Sequence, residues 1–196
     1  MADKVSVGGG RLFREITLRT EYVWDGEPAS DSEIATVSFQ LEADRISIRV
    51  SAPYHGEEAP PGPGGPMDRL WEYEVVELFL GADDRRYLEI EFGPHGHYLA
   101  LFFSGVRQRA QADIPLDYRA EILGNRWHGA AECNLAGLPP FVTVNAYAIH
   151  GAAANRRFLA AFPVSGVRPD FHQPQLFRAI SDFVGNKLTT SGGGAG

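Results

Sequence analysis

Cysteine is almost missing from this chain: Cys133 is the only one in 196 residues. No disulfide can form within the chain, which excludes a disulfide-stapled fold. No run of about 20 apolar residues occurs, so there is no candidate for a membrane-spanning helix. The first ten residues, MADKVSVGGG, lack the apolar segment of a secretory signal, and a cytoplasmic location is expected. Basic charge is scarce as well. Eighteen Lys and Arg stand against 25 Asp and Glu, a formal net charge of -7. Arg85-Arg86, Arg107/Arg109 and Arg156-Arg157 are short groups diluted by nearby acids. A protein that neutralises phosphates needs a basic stripe, so neither nucleic acid nor membrane is an expected partner. HExxH, CxxC, GxSxG and phosphate-cradling glycine loops are all missing. Gly62-Pro63-Gly64-Gly65 contains a proline that removes a phosphate-binding N–H. Cys133 reads as a small buried hydrophobe. No cofactor is expected.

What the chain does have is a period of two. Val37, Phe39 and Leu41 alternate with polar residues, and after Ala43-Asp44 the pattern resumes with Ile46, Ile48 and Val50, as in a β-hairpin. Glu74–Leu80, Tyr87–Phe92 and His97–Phe103 read as an antiparallel meander joined by short turns. Tyr118–Leu123 and Arg126–Cys133 form another pair around the tight turn Gly124-Asn125, and Phe141–Ile149 pairs with Arg157–Pro163. Helical turns are expected only at Asn134–Leu138 and Gln173–Phe177. Tyr54–Met67, rich in glycine and proline, is incompatible with a helix or a central strand; it is a binding loop or a solvated one. Many short strands predict an all-β protein, an antiparallel β-sandwich or jelly roll. One domain is expected over residues 16–188, between flexible termini at 1–15 and 189–196.

Alternation also sorts the meander into two faces. Val76, Leu78 and Leu80 share the core face with Leu88, Ile90 and Phe92, and Glu77, Glu89 and Glu91 share the other with Phe79 and Tyr87. If the Gly93–Gly96 turn pairs Phe92 with His97, then Tyr98, Ala100 and Phe102 join the glutamates, and Leu99 and Leu101 join the core. A sheet face of three carboxylates among aromatic rings suits a sugar or other polyol, because carboxylates accept from hydroxyls and rings stack on apolar sugar faces. The plain alternative is a solvated face with balancing cations. His95 and His97, two apart, are the weak metal candidates, since zinc needs three or four ligands and the rest would be distant residues such as His150, His172 or Asp170.

Five segments carry a resemblance. LWEYEVVE at Leu70–Glu77, YLEIEFGPHG at Tyr87–Gly96, AIHG at Ala148–Gly151, FPV at Phe162–Val164 and PDFH at Pro169–His172 occur in this order in an uncharacterised family. That family includes the human product named after chromosome 4 open reading frame 33, and the likeness spans about residues 20–185. It implies an intracellular single-domain protein of no established activity. More distantly, Trp71, Glu74 and Glu77, then Arg126-Trp127, Leu135–Pro139 and His172, resemble the landmarks of family 9 carbohydrate-binding modules. These are β-sandwiches related to the DOMON group. The resemblance implies a carbohydrate-binding-module-like fold in which Trp71 stacks on a ring and Glu77 accepts from hydroxyls. The chain departs from that pattern with Glu74 in place of Asp, Glu91 in place of a basic or amide residue, and Gly93 in place of Asn.

Three functions follow as expectations. The first is a noncatalytic binder of a small carbohydrate or polyol-like ligand, with Trp71, Glu77, Glu89, Glu91 and Tyr98 as its site and Tyr54–Met67 along its edge. The second is a hydrolase or isomerase using a Glu/His acid–base pair on the same face. The third is a protein-interaction module. Trp71 has two readings, a stacking platform or a loop anchor.

Overall fold

The computed structural model describes residues 15–82, 85–112 and 114–184. The expected flexible termini, apart from Glu15, lie outside the described residues. Among the described residues, fourteen strands run in order β1 (Ile16–Arg19), β2 (Tyr22–Val23), β3 (Thr36–Leu41), β4 (Arg45–Pro53), β5 (Gly65–Pro66), β6 (Val75–Gly81) and β7 (Tyr87–Phe92). They continue with β8 (His97–Phe103), β9 (Arg109–Gln111), β10 (Leu116–Leu123), β11 (Arg126–Asn134), β12 (Thr143–His150), β13 (Arg157–Ala160) and β14 (Arg178–Ala179). One sheet has the order β1-β3-β4-β11-β10; the other has β2-β13-β12-β6-β7-β8-β5, with β14 beside β12 and β9 beside β8. Every pairing is antiparallel except the short contact of β5 with β8. This is the expected antiparallel sandwich. The expected helical turn near Gln173–Phe177 is a 3-10 turn at Pro174–Leu176.

The two sheets face each other across one apolar layer. Ile16, Val37, Phe39, Ile46, Ile48 and Val50 from the first meet Val76, Leu78, Leu80, Leu88, Ile90 and Phe92 from the second, with Trp127 fully buried among them. The first sheet keeps its other face in water, and β11 alternates strictly between buried and more exposed positions. The second sheet does not. Every residue of β6 and β7 is buried, because the chain after β13 folds back and lays Val164, Phe171 and Phe177 on the outer face. The solvated sheet surface considered for Glu77, Glu89 and Glu91 is therefore a second covered layer.

The turn between β7 and β8 corrects one face assignment. Gly93 N–H donates to the His97 carbonyl at 2.9 Å, and Gly96 adopts φ +83°. That closes a three-residue loop with glycine in the left-handed position, a common hairpin solution. Phe92 then pairs with Tyr98, not His97. A one-residue slip exchanges the faces of a strand. Tyr98, Ala100 and Phe102 go to the inter-sheet core, where Tyr98 meets the Tyr118 ring edge-on at 6.3 Å. Leu99, Leu101 and Phe103 go to the layer that contains the glutamates.

Candidate functional site

Cross-strand register builds the site. Glu77 on β6 is paired with Glu91 on β7, and Glu89 lies two pairs further along opposite Phe79. On the other side of β6, Tyr147 of β12 pairs with Glu77. The three carboxyl groups approach until one oxygen from each lies within 4.8 Å of the others. All are nearly inaccessible, at 2% for Glu77, 4% for Glu89 and 0% for Glu91.

Above Glu77 and Glu89 opens a cleft of about 380 Å³. Phe79, Phe103, Phe158 and Phe171 give it aromatic walls, Trp71 stands at one side, and Arg107, Arg109, Asp170 and His172 supply the polar rim. Two hollows of about 340 and 480 Å³ lie on the exposed face of the first sheet. Their linings are mainly short or solvated side chains such as Ser38, Ser47, Ala130 and Arg119. The cleft combines apolar walls with buried polar groups, the usual composition of a small-molecule site.

Burial sets the protonation of the floor. It pushes the Glu77 carboxyl well above the usual range, reinforced by the charge of Glu89 and opposed by Arg156. Burial also raises Glu89 to about 7, against its hydrogen bond with Glu91 and the pull of Arg109 and Arg107. Glu91 is raised strongly, first by burial and then by Glu77 and Glu89. Desolvation disfavours the ionised acid, and like charges add to it.

The wall holds a hydrogen-bonded chain. Arg107, at φ 58°, points its N–H to the Tyr87 hydroxyl at 3.0 Å, and that hydroxyl is 2.7 Å from His172 Nδ1. With one lone pair taken by Arg107, the hydroxyl still has its proton and a second lone pair for Nδ1, so the direction of this bond follows the tautomer of His172. Burial, helped by the charge of Arg107, holds the His172 pKa down at about 4, so the ring is neutral. Asp170 braces the group by accepting from the Arg107 guanidinium at 2.7 Å and from the His172 backbone N–H at 3.1 Å. Glu89 Oε2 stands 3.8 Å from His172 Nδ1 and has no hydrogen-bond partner among the described residues.

Of the five residues read from the sequence, Trp71, Glu77 and Glu89 line the cleft, and Glu91 sits behind its floor. Tyr98 does not belong, since the register turns it to the opposite face. Trp71 lies in a 3-10 turn, Leu70–Glu72, half-buried, with its carbonyl gripped by the Arg156 guanidinium. Glu74 points to the other side of β6, where it accepts from the His55 N–H at 3.1 Å. Residues 54–67 do not edge the cleft. His55 stacks on His150 at 3.7 Å, Glu57 accepts from Gly151 N–H, and β5 follows β8. Nor does the His95/His97 pair form a three-ligand group: His95 meets the Tyr54 ring edge-on at 5.8 Å, and His97 is buried on the strand. The sequence reading placed Tyr87 on the face of the glutamates but did not join Asp170 and His172 to it. PDFH was visible as a segment, but nothing local shows that it crosses β6 and β7.

Comparison with known proteins follows the same elements. The mouse UPF0462 protein C4orf33 homolog is 36% identical over 174 residues, covering 84% of this chain and 90% of that protein. The chain belongs to the UPF0462 family. Within the family, the human UPF0462 protein C4orf33 is 37% identical over 176 residues, 84% of this chain and 87% of its own length. The zebrafish member, from Danio rerio, is 35% identical over 167 residues, 80% and 84% respectively. No family model matches the chain. Among solved structures, a "putative carbohydrate-binding protein" from Bacteroides uniformis superposes with a TM-score of 0.64 at 17% identity, covering 85% of each chain. At that identity the UPF0462 chain shares its fold and no more. The fold expected from the resemblance is thus present.

Proposed function

We propose that the cleft is a noncatalytic binding site for a small carbohydrate or similar polyol. The observation that carries this reading is the pairing of a carboxyl floor, Glu77 and Glu89, with walls of Phe79, Phe103, Phe158, Phe171 and Trp71. Ring faces take the apolar side of a sugar, while carboxyl groups, His172 Nε2 and Arg109 exchange hydrogen bonds with its hydroxyls. A volume of about 380 Å³ suits a ligand the size of a monosaccharide. The carbohydrate-binding description of the Bacteroides fold relative is compatible with this choice.

The glycosidase reading is less well supported. Glycoside hydrolysis places two carboxyl groups on either side of the scissile bond. Glu77 and Glu89 instead rise from adjacent strands of one floor, with oxygens within 4.8 Å.

A thermal-shift screen of monosaccharides, sugar acids and cyclitols, followed by calorimetry, tests the proposal. A ligand at about 100 times its dissociation constant adds about 2.7 kcal/mol of stability. Glu77→Gln and Trp71→Ala are each expected to weaken a hit by about 1–3 kcal/mol, and Tyr98→Ala to leave it unchanged. Hits that bind both cleft variants as tightly as the parent would place the site elsewhere.

A further inference from the structure

The floor of the cleft has a feature that polyol binding does not use. Glu91 is fully buried, and among the described residues its carboxyl meets no N–H donor and shares a hydrogen bond only with the neighbouring acid Glu89, whose own Oε2 has no donor either. Buried polar atoms are rarely left so, because each one forfeits its hydration without return. One oxygen from each of Glu77, Glu89 and Glu91 lies within 4.8 Å of the others, a span that a single ion bridges. The nearby guanidinium groups are engaged elsewhere. Arg107 bonds Asp170, Arg109 bonds Asp68, and Arg156 bonds the carbonyls of Trp71 and Glu72.

We propose that Glu77, Glu89 and Glu91 form a binding site for one hard divalent cation of the Mg²⁺, Mn²⁺ or Ca²⁺ class. All three donors are carboxylate oxygens, the chemistry that selects such ions over zinc or copper. The cation gives these oxygens a positive partner and offsets the repulsion among three converging carboxylates. Glu91 is the inner ligand, and Glu77 and Glu89 face the cleft, which gives the ion its entry path. Because the donors lie on one sheet face, the coordination positions toward the cleft stay open to water or to a bound molecule. The carboxyl groups must lose their protons as the ion enters, so binding is strongly pH-dependent. The bland alternative is a floor that holds protons in place of a metal.

The test needs no sugar, so its outcome is independent of the polyol reading. The purified chain is stripped with EDTA, dialysed, and titrated with Mn²⁺ at pH 7.5 by calorimetry and electron paramagnetic resonance. One Mn²⁺ per chain is expected, displaced by Ca²⁺ or Mg²⁺, with at least tenfold weaker binding in Glu91→Gln. On the parent chain alone, terbium supplies a second readout. Tb³⁺ luminescence sensitised by Tyr87 and Tyr147, the two buried tyrosines of this layer, should be quenched by Ca²⁺ and lost below pH 5. No Mn²⁺ bound at millimolar concentration, or equal binding by a folded Glu91→Gln variant, would overturn the site. If Glu91→Gln does not fold, absence of Ca²⁺-sensitive terbium luminescence from the parent overturns it equally.

Discussion

At the scale of single residues, the buried floor makes stability depend on pH. Glu89 is raised from its ordinary 4.5 to about 7, so between those values the folded chain holds a proton that the unfolded chain releases. Its contribution is fully present below pH 4.5, is lost as pH rises, and is gone above about 7, a swing of roughly 3 kcal/mol. His172 has the opposite sign. Held at about 4, it contributes above the unfolded value near 6.5 and loses that contribution as pH falls toward 4. Comparing Glu89→Gln with the parent isolates the first effect. In EDTA, urea unfolding from pH 5 to pH 8 should show the variant gaining stability relative to the parent as pH rises, by up to roughly 3 kcal/mol. A difference that stays flat across that range would mean that Glu89 is ionised throughout. The common facing of Glu77, Glu89 and Glu91 was legible because side chains on a strand alternate strictly. The misplacement of Tyr98 came from the same rule, applied across a turn whose closing pair, Gly93 and His97, is fixed by a hydrogen bond and a left-handed glycine.

At the scale of elements, the strands were legible and their covering was not. Apolar alternation located β3, β4, β6, β7, β8, β10, β11 and β12 within a few residues. The short β1, β2, β5, β9 and β14 carry too few side chains to show a period. The segment from Ala161 to Phe177 carries no period at all, yet it makes the second layer. Phe171 stacks on Tyr147 at 3.8 Å with an interplanar angle of 8°. Removing that ring should expose the cleft from above. Phe171→Ala is expected to cost about 3 kcal/mol in urea unfolding and to weaken any cleft ligand. Ile90→Ala, in the inter-sheet layer at 0% exposure, should cost about 2–5 kcal/mol without direct effect on the cleft. A Phe171→Ala loss below about 0.5 kcal/mol, the norm for surface positions, would show that this segment lies loosely on the sheet.

At the scale of the whole molecule, the two sheets differ in how they are protected. β6 and β7 have hydrogen-bonded strands on both sides, the inter-sheet core beneath, and the aromatic layer above. β4 and β11 are also central, but the other face of their sheet carries solvated residues such as Arg49 and Glu132. Amide exchange reports the free energy of the opening that exposes each bond, and central, doubly covered strands open only with the whole fold. Amides of β6 and β7 should therefore exchange slowest, near the global unfolding limit, with β4 and β11 next and the edge strand β10 faster. The functional residues are set into this most protected region: Glu77 on β6, and Glu89 and Glu91 on β7. A site on such elements keeps its geometry without a ligand, so a cleft ligand or a cation should protect the Pro169–His172 segment more than it protects β7. Faster exchange in β6 and β7 than in β4 and β11 would mean that the Ala161–Phe177 layer opens independently, and the cleft would then exist only part of the time.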